Sequence, residues 1–295
     1  MKTRMFWHRP MLRTKRRKEG RLFTSTVIAA LLILGGIIFA CALAPVLSPY
    51  EPTRQNLADS LALPSARHLL GADKVGRDLL TRLLYGGRTT LLSAIGVVAV
   101  SVFIGVPLGL WSGYYGGFVD SLIGRCCDVL LSFPSLLLAF VFVAGFGRGI
   151  GNAILALGIV YVPMITRLVR SLTLVEKQKT YVEACLSIGY SDARVIFLHI
   201  FPNCVSTVLV QLTLDLAYAI LDLASLSFLG LGVQPPVADW GAMLDEGRNF
   251  LLQNPLLALA PGLAIILTVV SLNLFSDGIH QYIEPSQREL PAFEE

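Results

Sequence analysis

The sequence predicts an all-α integral membrane protein with six transmembrane helices and both termini in the cytoplasm (N-in/C-in). Three observations predict it. Of the 295 residues, 54% are hydrophobic and only 15% charged, against about 25% charged in soluble domains. The apolar runs approach the ~20 residues that cross a ~30 Å hydrocarbon core. On a six-span topology the N-in orientation places 16 Lys/Arg inside and 8 outside, in the sense of the positive-inside rule.

Residues 1–21 carry nine Lys/Arg against one acid, Glu19, and read as a basic cytoplasmic tail. Residues 22–47 form the first span. The basic start and Ala40-x-Ala42 resemble a secretory signal, but the apolar run exceeds a cleaved signal's core, so an uncleaved anchor is expected. Residues 48–88 form a periplasmic segment with Pro49, Pro52 and Pro64. There Asp73, Arg77 and Asp78 suit an ion-pair cluster at a turn made by Gly71 and Gly76.

Residues 89–280 hold the transmembrane core, with spans at 89–111, 126–146, 152–169, 204–226 and 255–275. Gly113–Gly117 is a turn whose Tyr114 and Tyr115 suit the membrane interface. Asp120, Arg125 and Asp128 stand at spacings that favour pairing with one another. Pro134 is expected to kink the third span and Pro163 to break the ladder of the fourth. A polar connection, 227–254, precedes the sixth span. Residues 281–295 form a second cytoplasmic tail.

No enzyme centre emerges. No Gly-Lys dipeptide occurs, so a Walker A phosphate loop is excluded. The four histidines are scattered. The five cysteines form no C-x-x-C pair and read as small apolar residues, not a metal site. Catalytic and metal-ligating residues are therefore not expected. Asp215 and Asp222 lie inside an apolar run, where a charge costs about 2.5–3.5 kcal/mol on insertion scales and is usually functional. Seven residues apart, they face one side of a helix. They fit either a pathway that favours a cationic group or pairing with a neighbouring helix.

Between the fourth and fifth spans lies the polar loop Thr180–Asn203. Tyr181–Ile188 suits two helical turns. Gly189 tolerates the left-handed conformation that ends a helix. Ser191 and Asp192 suit the start of another, and Pro202 is expected to limit it. Two short helices joined at a glycine fit a docking surface for a partner, or an ordinary helix lying on the membrane.

Glu183, Ala184, Gly189 and Pro202 are spaced as Glu-Ala-x4-Gly-x12-Pro, which resembles the EAA loop of bacterial ABC importer permeases. His68–Arg88, HLLGADKVGRDLLTRLLYGGR, resembles the LGTDxxGRDxxSRxxxGxR stretch of dipeptide, oligopeptide and nickel importer permeases. Gly113–Asp120, Phe133-Pro134, Arg167–Arg170, Ser227–Gly232, Pro235-Pro236, Trp240-Gly241 and Asn273–Gly278 match further stretches in the same order. The likeness covers most of residues 22–285 and is to the C-type permease. Cys185 departs from the second alanine of the triplet, His199 and Phe201 from the Ile and Leu of the general loop, and Asp222 from a frequent Glu.

This resemblance implies a type I ABC importer permease fold in the bacterial inner membrane. It implies a non-enzymatic permease subunit that imports di- or oligopeptides, or alternatively nickel or another metal chelate. Glu183, Ala184, Gly189, His199, Pro202 and Asn203 would form the ATPase-coupling loop. The implied partners are a second, different permease, two ABC ATPase subunits and an extracytoplasmic solute-binding protein. This chain would bind no cofactor of its own, ATP and magnesium belonging to the ATPase partner. A secondary transporter or channel is the alternative outside that family.

Overall fold

A computed structural model describes residues 25–283. The two basic and acidic tails, and residues 22–24 of the expected first span, lie largely or wholly outside that range. Helices account for all regular structure among the described residues. Besides a 3-10 turn at Leu57–Asp59 and a π turn at Ile196–Ile200, they are α1 (Ser25–Ala42), α2 (Ala44–Leu47), α3 (Leu79–Tyr115), α4 (Gly117–Leu131), α5 (Ser135–Phe146), α6 (Ile150–Lys177), α7 (Thr180–Ser187), α8 (Asp192–Val195), α9 (Phe201–Phe228), α10 (Trp240–Arg248) and α11 (Leu256–Ile283). Five are long and apolar enough to span a membrane, six if the bent pair α4 and α5 is one span.

The second span is longer than its apolar run. Helix α3 starts at Leu79, ten residues before the expected 89, because the Asp78 carboxylate caps it by accepting from the Thr81 amide at 2.8 Å. At 1.5 Å per residue its 37 residues measure about 55 Å, well beyond the ~30 Å needed to cross a hydrocarbon core. The segment read as periplasmic loop to 88 therefore ends in helix. Likewise α11 runs three residues past the expected boundary at 280.

The third span is not one kinked helix. Helices α4 and α5 meet at 90° across Ser132–Pro134. Pro134 has no amide to continue the ladder and forces extended backbone before itself. Pro163, by contrast, lies within an uninterrupted α6.

Helix α3 packs most extensively on α6, and small residues permit it. Gly105, Gly109 and Gly113 lie four apart. A Cβ on Gly109 would stand 2.7 Å from the Thr166 carbonyl oxygen, and one on Gly113 2.8 Å from that of Arg170. The spacing is the small-xxx-small pattern by which membrane helices approach closely.

Two apolar clusters result. One centres on Leu157, Ile220, Leu226 and Trp240. The other, at the opposite end of the bundle, joins Leu110, Ile165 and Val169 to Val182, Val195, Ile196 and Ile200 of the 180–203 loop. The loop is thus part of a core.

Candidate functional site

Gly189 has φ +88°, the left-handed turn expected of it. It ends α7 and lets the chain reverse into α8. Ser191 has the extended backbone of an N-cap, although its side chain makes no capping bond. Helices α7 and α8 thus form an elbow.

Pro202 does not limit the second arm. A π turn at Ile196–Ile200 follows α8, with the Phe201 amide donating to the Ile196 carbonyl, and α9 continues through Pro202 at its first turn. The widened turn accommodates a residue that has no amide and whose ring would strike the carbonyl four residues back. Asp192–Phe228 is consequently a single 37-residue helical rod.

Three sets of polar contacts fix the elbow. The Tyr114 hydroxyl, on the last turn of α3, donates to Asp192 Oδ1 at 2.8 Å. Lys177 donates to the Tyr114 carbonyl and lies over its ring. Glu176, at the end of α6, accepts from Lys179 at 2.5 Å and from the Tyr181 hydroxyl at 2.8 Å. Asn203 Nδ2 donates to the Tyr181 hydroxyl at 3.2 Å and to the His199 carbonyl at 2.7 Å. Burial, then the neighbouring Glu176 carboxylate, pushes the Tyr181 phenol up to about 12. It stays protonated and holds the two arms together. The His199 ring stacks on Tyr190, which carries the Arg194 guanidinium on its ring at 4.3 Å.

The outer edge of the elbow is open. Glu183, Ala184 and Gly189 are exposed, as are Leu186, Ile188, Phe197 and Leu198. Among the described residues Glu183 makes no ion pair. An exposed acidic group and exposed apolar side chains on the arms of one elbow suit association with another protein.

Asp120, Arg125 and Asp128 do not pair with one another. Arg170 instead grips Asp120 with two bonds of 2.5 and 2.6 Å, joining α4 to α6 beside the elbow, and Ser112 of α3 also donates to Asp120. Arg167 pairs with Asp128 at an exposed position. Helices fold these charges together, where intrahelical spacing suggested local pairs.

Asp215 and Asp222 stand further along α9, away from the elbow. Asp222 accepts from the Tyr161 hydroxyl of α6 at 2.8 Å. Asp215 is 2% exposed. It accepts from Gln211 at 2.9 Å, and its second oxygen has no partner among the described residues.

At the opposite end of the molecule, Arg77 pairs with Asp73 at 2.6 Å and with Glu246 of α10 at 3.0 Å. Arg82 reaches the same Glu246 at 3.1 Å. Asp78 caps α3 and meets His68 at 2.9 Å. Of the expected Asp73, Arg77 and Asp78 cluster at the Gly71/Gly76 turn, Asp73 and Arg77 pair and are joined by Arg82 and Glu246, while Asp78 pairs with His68 and not with Arg77.

A family model described as binding-protein-dependent transport system inner membrane component matches residues 105–289. The glutathione transport system permease protein GsiD of Pectobacterium atrosepticum is 44% identical over 261 residues, covering 88% of this chain and 86% of its own. The probable D,D-dipeptide transport system permease protein DdpC of Escherichia coli K12 is 43% identical over 262 residues, 89% and 86% of the two chains. The dipeptide transport system permease protein DppC of Alkalihalophilus pseudofirmus is 39% identical over 261 residues, 88% and 86%. Among solved structures, a chain of the MetNI methionine ABC transporter in an inward-facing conformation has a TM-score of 0.56. It covers 68% of this chain and 96% of that one at 17% identity, a likeness of fold.

Proposed function

The chain belongs to the family of binding-protein-dependent transport system inner membrane components, and on that premise we propose that it imports short peptides with work supplied at the α7–α8 elbow. As a member of that family it is a multi-pass permease subunit of an ABC transporter in the bacterial inner membrane, and ATP hydrolysis falls to a separate subunit. The relatives' names, glutathione and dipeptide permeases, favour a small peptide as cargo over nickel.

One observation carries the reading: an elbow with an open acidic and apolar edge is locked by Tyr114, Glu176 and Asn203 onto the ends of α3, α6 and α9. A partner that pushes the edge moves three long helices together. In this reading the elbow faces the cytoplasm, with both termini on the same side, and receives one of two ATPase subunits, which carry ATP and magnesium. A second, different permease completes the pathway, and a solute-binding protein delivers cargo at the Glu246 end. Asp215 and Asp222 give the pathway side of α9 an affinity for a cationic group such as a peptide amino terminus.

Uptake of radiolabelled dipeptide and glutathione into cells lacking the chain, with and without its restoration, tests the cargo. Restoration should recover uptake of at least one. Recovery of neither overturns the peptide assignment. Elbow coupling is tested separately, by the ATPase activity of the purified complex with Glu183→Arg. Full ATPase binding and activation in that variant would remove the elbow from the mechanism.

A further inference from the structure

Away from the elbow, four helices enclose a membrane-facing groove of about 310 Å³. Its floor is made by the buried Leu34 and Cys41 of α1 and Leu272 of α11. Its rim is made by the exposed Ile38 of α1 and Leu92 and Ile95 of α3, with Arg88 at one end. Helices α1 and α3 run in opposite directions here. From Cys41 to Leu34 and from Arg88 to Ile95 are seven residues each, so both walls descend about 10 Å from the Arg88 end towards the membrane centre.

Arg88 marks the depth. No Asp, Glu, Lys or Arg occurs between it and Asp120, so it is the last charge before the hydrocarbon and lies at headgroup level. It is exposed and, among the described residues, makes no ion pair. No carboxylate lines the groove. A partner helix seated here would have to bring its own carboxylate to Arg88 or bury the guanidinium without a counter-charge, which costs several kcal/mol. A phospholipid satisfies both features. Its phosphate suits the fork of an arginine, and its tail suits the apolar channel below.

We propose that this groove holds one acyl chain of an anionic phospholipid whose phosphate is bound by Arg88. The proposal rests on the chain's spanning the membrane and is independent of its cargo. The assembled importer in vesicles of phosphatidylethanolamine and phosphatidylglycerol, with a trace of phosphatidylglycerol carrying a photoactivatable acyl chain, tests it. Illumination should label peptides containing Leu34–Ala42 and Leu91–Ile95. Arg88→Gln should lower that labelling about fivefold, the ratio corresponding to the ~1 kcal/mol of one basic residue at an anionic surface, and Arg88→Lys should retain most of it. Ile95→Trp, which fills the rim with Arg88 intact, should abolish it, and an equivalent phosphatidylcholine probe should label the unmodified groove several-fold less. Equal labelling of unmodified and Arg88→Gln protein would overturn the proposal. So would equal labelling by the two lipids, a comparison that stands even if the variants fail to assemble. Cross-linking of the groove peptides to the second permease with no lipid adduct would overturn it as well.

Discussion

The Tyr114 hydroxyl donates a hydrogen bond to the carboxylate of Asp192, joining the last turn of α3 to the first residue of α8 at 2.8 Å. The two residues are 78 positions apart, and the bond gives the elbow a direct connection to α3 in addition to its covalent continuity with α9. Hydrogen bonds to charged groups contribute about 1.5–3 kcal/mol. Tyr114→Phe should therefore leave the protein in the membrane, with uptake per ATP hydrolysed reduced. Asp192→Asn should reduce it as well, and the double variant by less than the sum of the two. Additive losses in a double-mutant cycle would show that the bond does not couple them.

Gly189 occupies backbone space at φ +88° that proline cannot enter. Gly189→Pro should preserve membrane insertion and uncouple ATPase activity from uptake. A conformational cost of ~1–3 kcal/mol is expected, enough to reorient the α7 tip. Normal coupled transport in reconstituted vesicles would contradict the assigned role.

Gly109→Val forces a side chain against the Thr166 carbonyl and the Val169 side chain. Overpacking of this kind costs typically ~1–3 kcal/mol. The thermal midpoint of the purified complex should fall, while Gly124→Val, where added atoms meet open space, should have little effect on it.

Glu246 accepts from both Arg77 and Arg82, and these arginines are 4% and 1% exposed. Glu246→Ala would leave two buried cations short of counter-charge. Removing one member of a buried pair costs about 3–5 kcal/mol. Lower expression and faster proteolysis between residues 44 and 78 are expected. Glu246→Gln should be milder, since one acceptor oxygen remains.

Asp215→Asn with Asp222→Asn removes the two acids of α9. If they favour a cationic group on the cargo, preference for peptides with a free amino terminus over N-acetylated ones should fall about tenfold, a ~1.4 kcal/mol effect. Tyr161→Phe, which deletes the donor to Asp222 but keeps its charge, should leave that preference intact. An unchanged preference in the double variant would confine both acids to packing.

The elbow was legible because its geometry is local. Gly189 needs a left-handed backbone, Ser191 starts a helix, and both signals lie within a few residues of what they specify. The partners of the elbow were not legible in the same way. Tyr114 read as an interface aromatic, and nothing near it in sequence points to Asp192. The charges at 120, 125 and 128 misled for a related reason, since helix spacing offers a nearby pair while the fold offers Arg170, 50 residues away. The start of α3 was missed because Leu79–Arg88 carries two arginines, and hydropathy cannot distinguish a charged loop from a helix that projects beyond the bilayer. Pro202 was misjudged because a π turn, invisible to periodicity, absorbs it.

Because no break separates α8 from α9, the segment from Asp192 to Phe228 is one continuous rod from the elbow to the far end of α9. At 1.5 Å per residue it is about 55 Å long, so a tilt of about 10° about its midpoint would carry each tip through roughly 5 Å, in opposite directions. Its remote tip carries Phe228, against which the Arg248 guanidinium of α10 rests at 4.8 Å. Under the proposed mechanism, a push on the elbow would emerge at Phe228 in the opposite direction.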